Sequence, residues 1–236
     1  RRYAYRPQRA RMRASGGIGA MRIVSTPSCY ASTGRSPMNS LDSSSLWSSS
    51  LLEFRERVAA GTPTPGGGAV AAVTATFAAA LLRMVATICA HRTPDVRLDA
   101  TIVEVKICEE KLAGYADEDV RAFDAFMAAR KNQLASEKLQ ALLLACAHVP
   151  LEAAEQVEKL QSLTTEIAAK CPAFLASDVA TARHLLHASR EALLANVAIN
   201  CKDLEECEEK RALEQRLERL RHAQQSIADL QILNRK

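Results

Sequence analysis

The sequence predicts an all-α protein: a multi-helix up-and-down bundle with a buried central Ala-rich helix, a long C-terminal helix and an irregular N-terminal extension. Three observations carry this expectation. Hydrophobic residues make up 48% of the chain but aromatics only 4%, so the apolar mass is Ala, Leu and Val. Ala and Leu favour helix, and the aromatic and β-branched residues that fill strands are sparse. Apolar residues recur at three- and four-residue spacing in one segment after another, which is the period of a helix face.

Residues 1–46 differ from the rest. They begin with Arg1, Arg2, Arg6, Arg9, Arg11 and Arg13, turn Ser/Gly-rich, and hold no acid before Asp42, so the remainder of the chain is net acidic. This composition predicts mitochondrial import and residence in the matrix. It also suits an interaction arm for acidic protein grooves or, through the arm alone, RNA phosphates. Residues 47–236 are expected to form the helical domain.

Within that domain, Trp47, Leu51, Phe54 and Val58 follow a 4-3-4 spacing, and Ser50 with Glu53 fits a capping box. Two Pro and four Gly over residues 61–68 forbid a continuous helix. Residues 69–91 are apolar almost all round, the mark of a buried central helix. Their uninterrupted apolar run stops at Arg83, short for a membrane span. After a break at Thr93-Pro94-Asp95, separate helices are predicted around Leu98 to Leu112, over 117–129 and over 136–148. Pro150 is read as opening another, with a short one over 165–170. Ser177 and Asp178 are read as caps of a helix running to about Asn200. Leu213, Leu217, Leu220, Ile227 and Leu230 give the last helix a coiled-coil-like stripe.

The chemistry that the residues suggest is limited. Seven Cys with irregular spacing and no CxxC indicate neither a disulfide framework nor a zinc site, and fit a reducing compartment. Five His form no metal motif; His184 and His187 read as surface or packing residues. The glycine turn at 66–68 precedes a helix start, where free N–H groups and the helix dipole can hold an anion and a flat ligand can approach the backbone; a plain tight turn explains it equally. Asn196 and Asn200 share a helix face, able to bind a heterocycle edge or each other. Asp119 fits either a helix-dipole partner or a proton-transfer group.

Six strings in order carry a resemblance. They are Pro63-Thr64-Pro65-Gly66-Gly67-Gly68-Ala69-Val70-Ala71-Ala72, Ala80-Leu81-Leu82-Arg83-Met84-Val85-Ala86, Asp119-Val120-Arg121-Ala122-Phe123, Val149-Pro150-Leu151, Ser177-Asp178 and Asn196-Val197-Ala198-Ile199-Asn200. From residue 47 to about 225 the chain resembles the cyclodeaminase/cyclohydrolase family of folate enzymes. The resemblance implies a homodimeric all-α domain with a tetrahydrofolate derivative in a groove shared with the partner, and no required cofactor or metal. It also implies Asp119 and Asp178 as acid/base groups, Gly66, Gly67 and Gly68 as the shape of the pocket, and Asn196 and Asn200 as its lining. The family's reactions close 5-formiminotetrahydrofolate with release of ammonia, or hydrolyse the methenyl bridge.

This sequence departs from the family's pattern at several positions. Ala69 replaces the Ser that follows the glycines, Arg130-Lys131-Asn132-Gln133 stands for a Leu-Pro-Lys segment, and the basic residues of the next helix start thin to Lys138. No Asn precedes Ser177. With the Arg-rich arm, these departures predict a non-catalytic accessory subunit of a large mitochondrial assembly, such as a respiratory complex or the mitoribosome, docked by the arm. The alternative is an active formiminotetrahydrofolate cyclodeaminase or methenyltetrahydrofolate cyclohydrolase.

Overall fold

The computed structural model describes residues 45–233, with side chains to residue 222. The arginines of the arm (Arg1, Arg2, Arg6, Arg9, Arg11, Arg13) and the import and docking roles expected of them lie outside the described residues.

The described chain opens with a 3-10 turn, Leu46–Ser48. Ser45 and Leu46, which composition groups with the extension, are already buried. The Ser45 hydroxyl and the Leu46 N–H each donate to the Asp117 carboxylate at 2.7 Å. Trp47 Nε1 donates to the Ala113 carbonyl at 2.9 Å.

Helix α1, Leu51–Ala59, starts on the expected capping box: Ser50 Oγ accepts from the Glu53 N–H, and Glu53 accepts from the Ser50 N–H. The expected apolar stripe is not realised. Trp47 falls in the turn before the cap, no residue of α1 is buried, and Leu51 is 73% exposed. Only Trp47 and Phe54 pack inward, beside Leu46, Ala69, Ala72, Val73 and Ala116.

Helix α2, Gly67–Arg92, is the central element and packs on the three long helices that follow it. Its Ala positions, among them Ala71, Ala75, Ala78, Ala79 and Ala86, are buried. Small side chains let three helices approach one axis while the backbone keeps its helical hydrogen bonds. Length and composition alone would let α2 cross a membrane, but 61% of its most apolar window is buried in the bundle.

Helix α3, Val96–Lys131, starts on Asp95, whose carboxylate accepts from the Arg97 N–H at 2.9 Å. It is one helix where the periodicity suggests two, because Gly114 weakens a helix by only about 1 kcal/mol and packing along α2 and α4 overrides that. Helix α4, Ser136–Lys170, likewise replaces three predicted pieces, with Pro150 inside it. A 3-10 turn, Ala173–Leu175, leads to α5, Ala176–Lys202. Ser177 and Asp178 are not caps: the N-cap is Leu175, and both lie in the first turn.

Helices α2, α3, α4 and α5 form a closed ring in which each packs on its sequence neighbour and α5 returns to α2. Helix α6, Glu208–Leu233, covers α4 and α5 with Leu213, Leu217 and Leu220. Arg190, 1% exposed, crosses this contact by donating from Nη2 to the Leu220 carbonyl. No strand occurs among the described residues, and the bundle is all-α as the composition predicts.

Candidate functional site

The glycine turn and α3 meet at the start of α2. Gly66 is the N-cap and offers no side-chain acceptor. The neighbouring helix supplies one. Asp119 Oδ2 accepts from the Ala69 N–H at 2.8 Å, taking the place that a local capping side chain would occupy. The carboxylate thus sits on the positive end of the α2 dipole.

Gly68 permits this approach. A Cβ there would meet Asp119 Cγ at 2.7 Å and Oδ2 at 2.8 Å, closer than carbon atoms pack. The other two glycines are less constrained. A Cβ on Gly66 would lie 3.1 Å from the Pro63 carbonyl oxygen, and one on Gly67 would touch Asn196 Nδ2 at an ordinary 3.4 Å. Thr64 Oγ1 donates to Asp124 at 2.7 Å and so pins the turn to α3.

Burial pushes the Asp119 carboxyl above the usual carboxylate range, and the Ala69 hydrogen bond only partly opposes this. An acid in such surroundings is poised to exchange a proton nearer neutral pH than a solvated one. Cys146 of α4 lies within its field: burial and then the Asp119 charge push that thiol up to about 11. Asn196 donates to the Ala192 carbonyl of its own helix at 2.8 Å and stands against Gly67, while Asn200 donates to the Cys146 carbonyl at 2.7 Å.

The structure therefore gathers Asp119, Gly66, Gly67, Gly68, Asn196 and Asn200 at one end of the bundle. It does not bring Asp178 to them. Asp178 lies at the start of α5, where its charge acts on Cys171, beside Cys89 near the far end of α2. At 1.5 Å per residue, roughly 27 Å of α5 separates Asp178 from Asn196. Within one chain, Asp119 and Asp178 cannot work as a pair. Among the described residues, no three His, Cys, Asp or Glu side chains group as a metal site.

The family model for formiminotransferase-cyclodeaminase matches residues 50–219, most of the chain and the whole of this site. The chain belongs to that family. Three cyclodeaminase-family relatives show how it is represented. The methenyltetrahydrofolate cyclohydrolase of Methylorubrum extorquens is 28% identical over 77% of this chain and 90% of its own length. The formimidoyltransferase-cyclodeaminase of Sus scrofa is 32% identical over 75% of this chain, which spans 35% of that longer protein. The crystal structure of formiminotetrahydrofolate cyclodeaminase from Thermotoga maritima superposes with a TM-score of 0.69 at 30% identity, covering 74% of this chain and 89% of its own.

These relatives overturn the expectation of a non-catalytic subunit of a respiratory complex or mitoribosome. Each is named for folate chemistry, and none for such an assembly. The site explains why one sequence departure misleads. What position 69 gives Asp119 is its backbone N–H, which Ala69 provides as well as Ser would. The loss of a hydroxyl there leaves the hydrogen bond intact.

Sequence reasoning missed Cys146, Asp117 and Asp124. Cys146 had a readable signal, since it stands four residues before Pro150. The two acids act through hydrogen bonds that only the tertiary fold creates.

Proposed function

We propose that this chain is a folate one-carbon enzyme acting on 5,10-methenyltetrahydrofolate or 5-formiminotetrahydrofolate, with Asp119 as the proton-transfer group. The observation that carries the reading is the desolvated Asp119 carboxylate held over the Gly68 backbone at the start of α2. Both substrates react at a one-carbon unit that is cationic in the methenyl and protonated formimino forms. A carboxylate in a low-dielectric site stabilises such charge strongly.

In hydrolysis, water adds to the methenyl carbon as Asp119 takes one of its protons; one C–N bond then opens, the freed nitrogen takes that proton from Asp119, and the remaining hydroxyl proton leaves to solvent as the formyl carbonyl forms. In cyclodeamination, the folate nitrogen attacks the formimino carbon and ammonia leaves, with Asp119 carrying the proton between them. Gly67 and Asn196 shape the adjacent wall. The reading includes a homodimer, favoured by Phe77, Met84, Val103 and Ile107, which are apolar and exposed on α2 and α3.

The test is turnover by purified protein, followed as loss of methenyltetrahydrofolate or release of ammonia. Asp119→Asn is expected to lower kcat by about 10²–10⁴-fold. Full turnover by a folded Asp119→Asn protein would overturn the assignment.

A further inference from the structure

Pro150 lies inside α4. A proline has no N–H to give to the carbonyl four residues back, which here belongs to Cys146. Cys146 is buried, so water does not complete that carbonyl. The donor comes from another helix: Asn200 Nδ2 of α5, at 2.7 Å. One hydrogen bond thus ties α5 to α4 where α4 passes beside Asp119, whose charge reaches the Cys146 thiol. Asn196, one turn earlier on the same face, instead gives its amide to its own helix and faces the glycine turn. The two asparagines share a face and differ in task.

We propose that Asn200 is a positioning residue: by completing the carbonyl that Pro150 leaves unpaired, it fixes the α4 wall, Cys146 included, against Asp119. The catalytic consequence rests on the folate-enzyme reading; the Pro150–Asn200 coupling does not. One of the two N–H donors of the amide that the family resemblance would aim at a ligand is committed within the protein.

The experiment compares the full-length protein, Asn200→Ala, Pro150→Ala and the double variant by thermal unfolding and by steady-state kinetics. Asn200→Ala is expected to lower the melting temperature by roughly 3–8 °C, the effect of one buried unpaired carbonyl in a domain of this size. Its kcat falls about tenfold while KM stays within about twofold, because the wall shifts while the groups that hold the substrate remain. Adding Pro150→Ala returns an N–H to the Cys146 carbonyl from within α4. The double variant then recovers most of the melting temperature but not kcat, since the tie between helices is still absent.

Additive melting-temperature changes would overturn the coupling. Recovery of kcat together with stability would reduce Asn200 to a structural role. A tenfold rise in KM at unchanged melting temperature would make it a ligand-binding residue instead. If Asn200→Ala does not fold, recovery of folded protein in the double variant supports the lock, and failure to recover overturns it. Absence of turnover by the unaltered protein on both substrates would overturn the folate reading, with the unfolding cycle still deciding the lock.

Discussion

Asp119 stands between opposed influences. Desolvation favours its neutral form, and the Ala69 N–H favours its charge; the first is larger. A folded-state pKa above the unfolded one means that the folded protein binds the proton more tightly. Stability therefore falls as pH rises from the unfolded value through the folded one, and above that window the whole penalty is present. Asp119→Asn, which keeps an oxygen for the Ala69 N–H, is expected to be at least as stable as the unaltered protein at neutral pH while losing turnover. Thermal melts at neutral and acid pH check this, with the two proteins converging as pH falls. A loss of several degrees at neutral pH would contradict it.

The glycines divide by their neighbours in the same way. Gly68→Ala drives a methyl into the Asp119 carboxylate and is expected to lower kcat at least tenfold, as misplacement of a catalytic group does. Gly67→Ala makes only ordinary contact with Asn196 and should keep most of its activity. Equal losses in kinetic assays of the two variants would refute the distinction. The sequence marks all three glycines alike, because their difference lies in a side chain on another helix. Asp119 was legible for its neighbourhood but not for its hydrogen bond, which joins residues far apart in the chain.

At the scale of elements, the starts of α1 and α3 were legible, and the apolar stripe of α1 and the continuity of α3 and α4 were not. The α1 capping box and the Asp95 break obey local rules, and both appear where the spacing puts them. The two predicted helices over 96–131 fuse because tertiary packing outweighs one glycine. The first two of the three over 136–170 join at Pro150, where a second helix supplies the donor that the Cys146 carbonyl loses. Asp178 misleads for a related reason. Sequence order places it near the asparagines, but a helix is a rod, and α5 carries them to opposite ends. Arg190 belongs to this scale too: it is the buried tie between α5 and α6. Arg190→Met keeps the stem and removes the donor from the Leu220 carbonyl. It is expected to destabilise the protein by about 1–3 kcal/mol in urea unfolding, and an unchanged midpoint would show that α6 does not depend on this hydrogen bond.

For the whole molecule, the ring of four long helices with α6 laid across it accounts for most of the apolar composition, but not for the exposed residues on α2 and α3. Arg83 pairs with Glu109 at 2.7 Å, so Met84 and Ile107 stand at similar heights on these adjacent helices. Met84 is 42% and Val103 57% exposed. Isolated apolar residues on a surface are ordinary; several on neighbouring helices suit a partner. For the dimer proposed above, Met84→Glu with Val103→Glu is expected to shift sedimentation to monomer without loss of helicity. A double variant that still sediments as a dimer would move the interface elsewhere. Fold class was legible from composition because helix preference and burial agree along most of the chain. The functional expectation went astray because it weighed side-chain departures in a site whose central hydrogen bond is made by backbone.

The cross-helix cap on α2 has a consequence for the order in which the molecule assembles. Gly67 and Gly68, behind a glycine N-cap, give the first turn of α2 almost no local tendency to form. Its acceptor arrives only when α3 lies alongside. The middle of α2 can wind early on its alanines, while its leading turn waits for α3 to dock. The glycine turn beside Asp119 is then among the last parts of the bundle to become ordered, and the Ala69 amide should exchange with solvent sooner than those at the centre of the same helix.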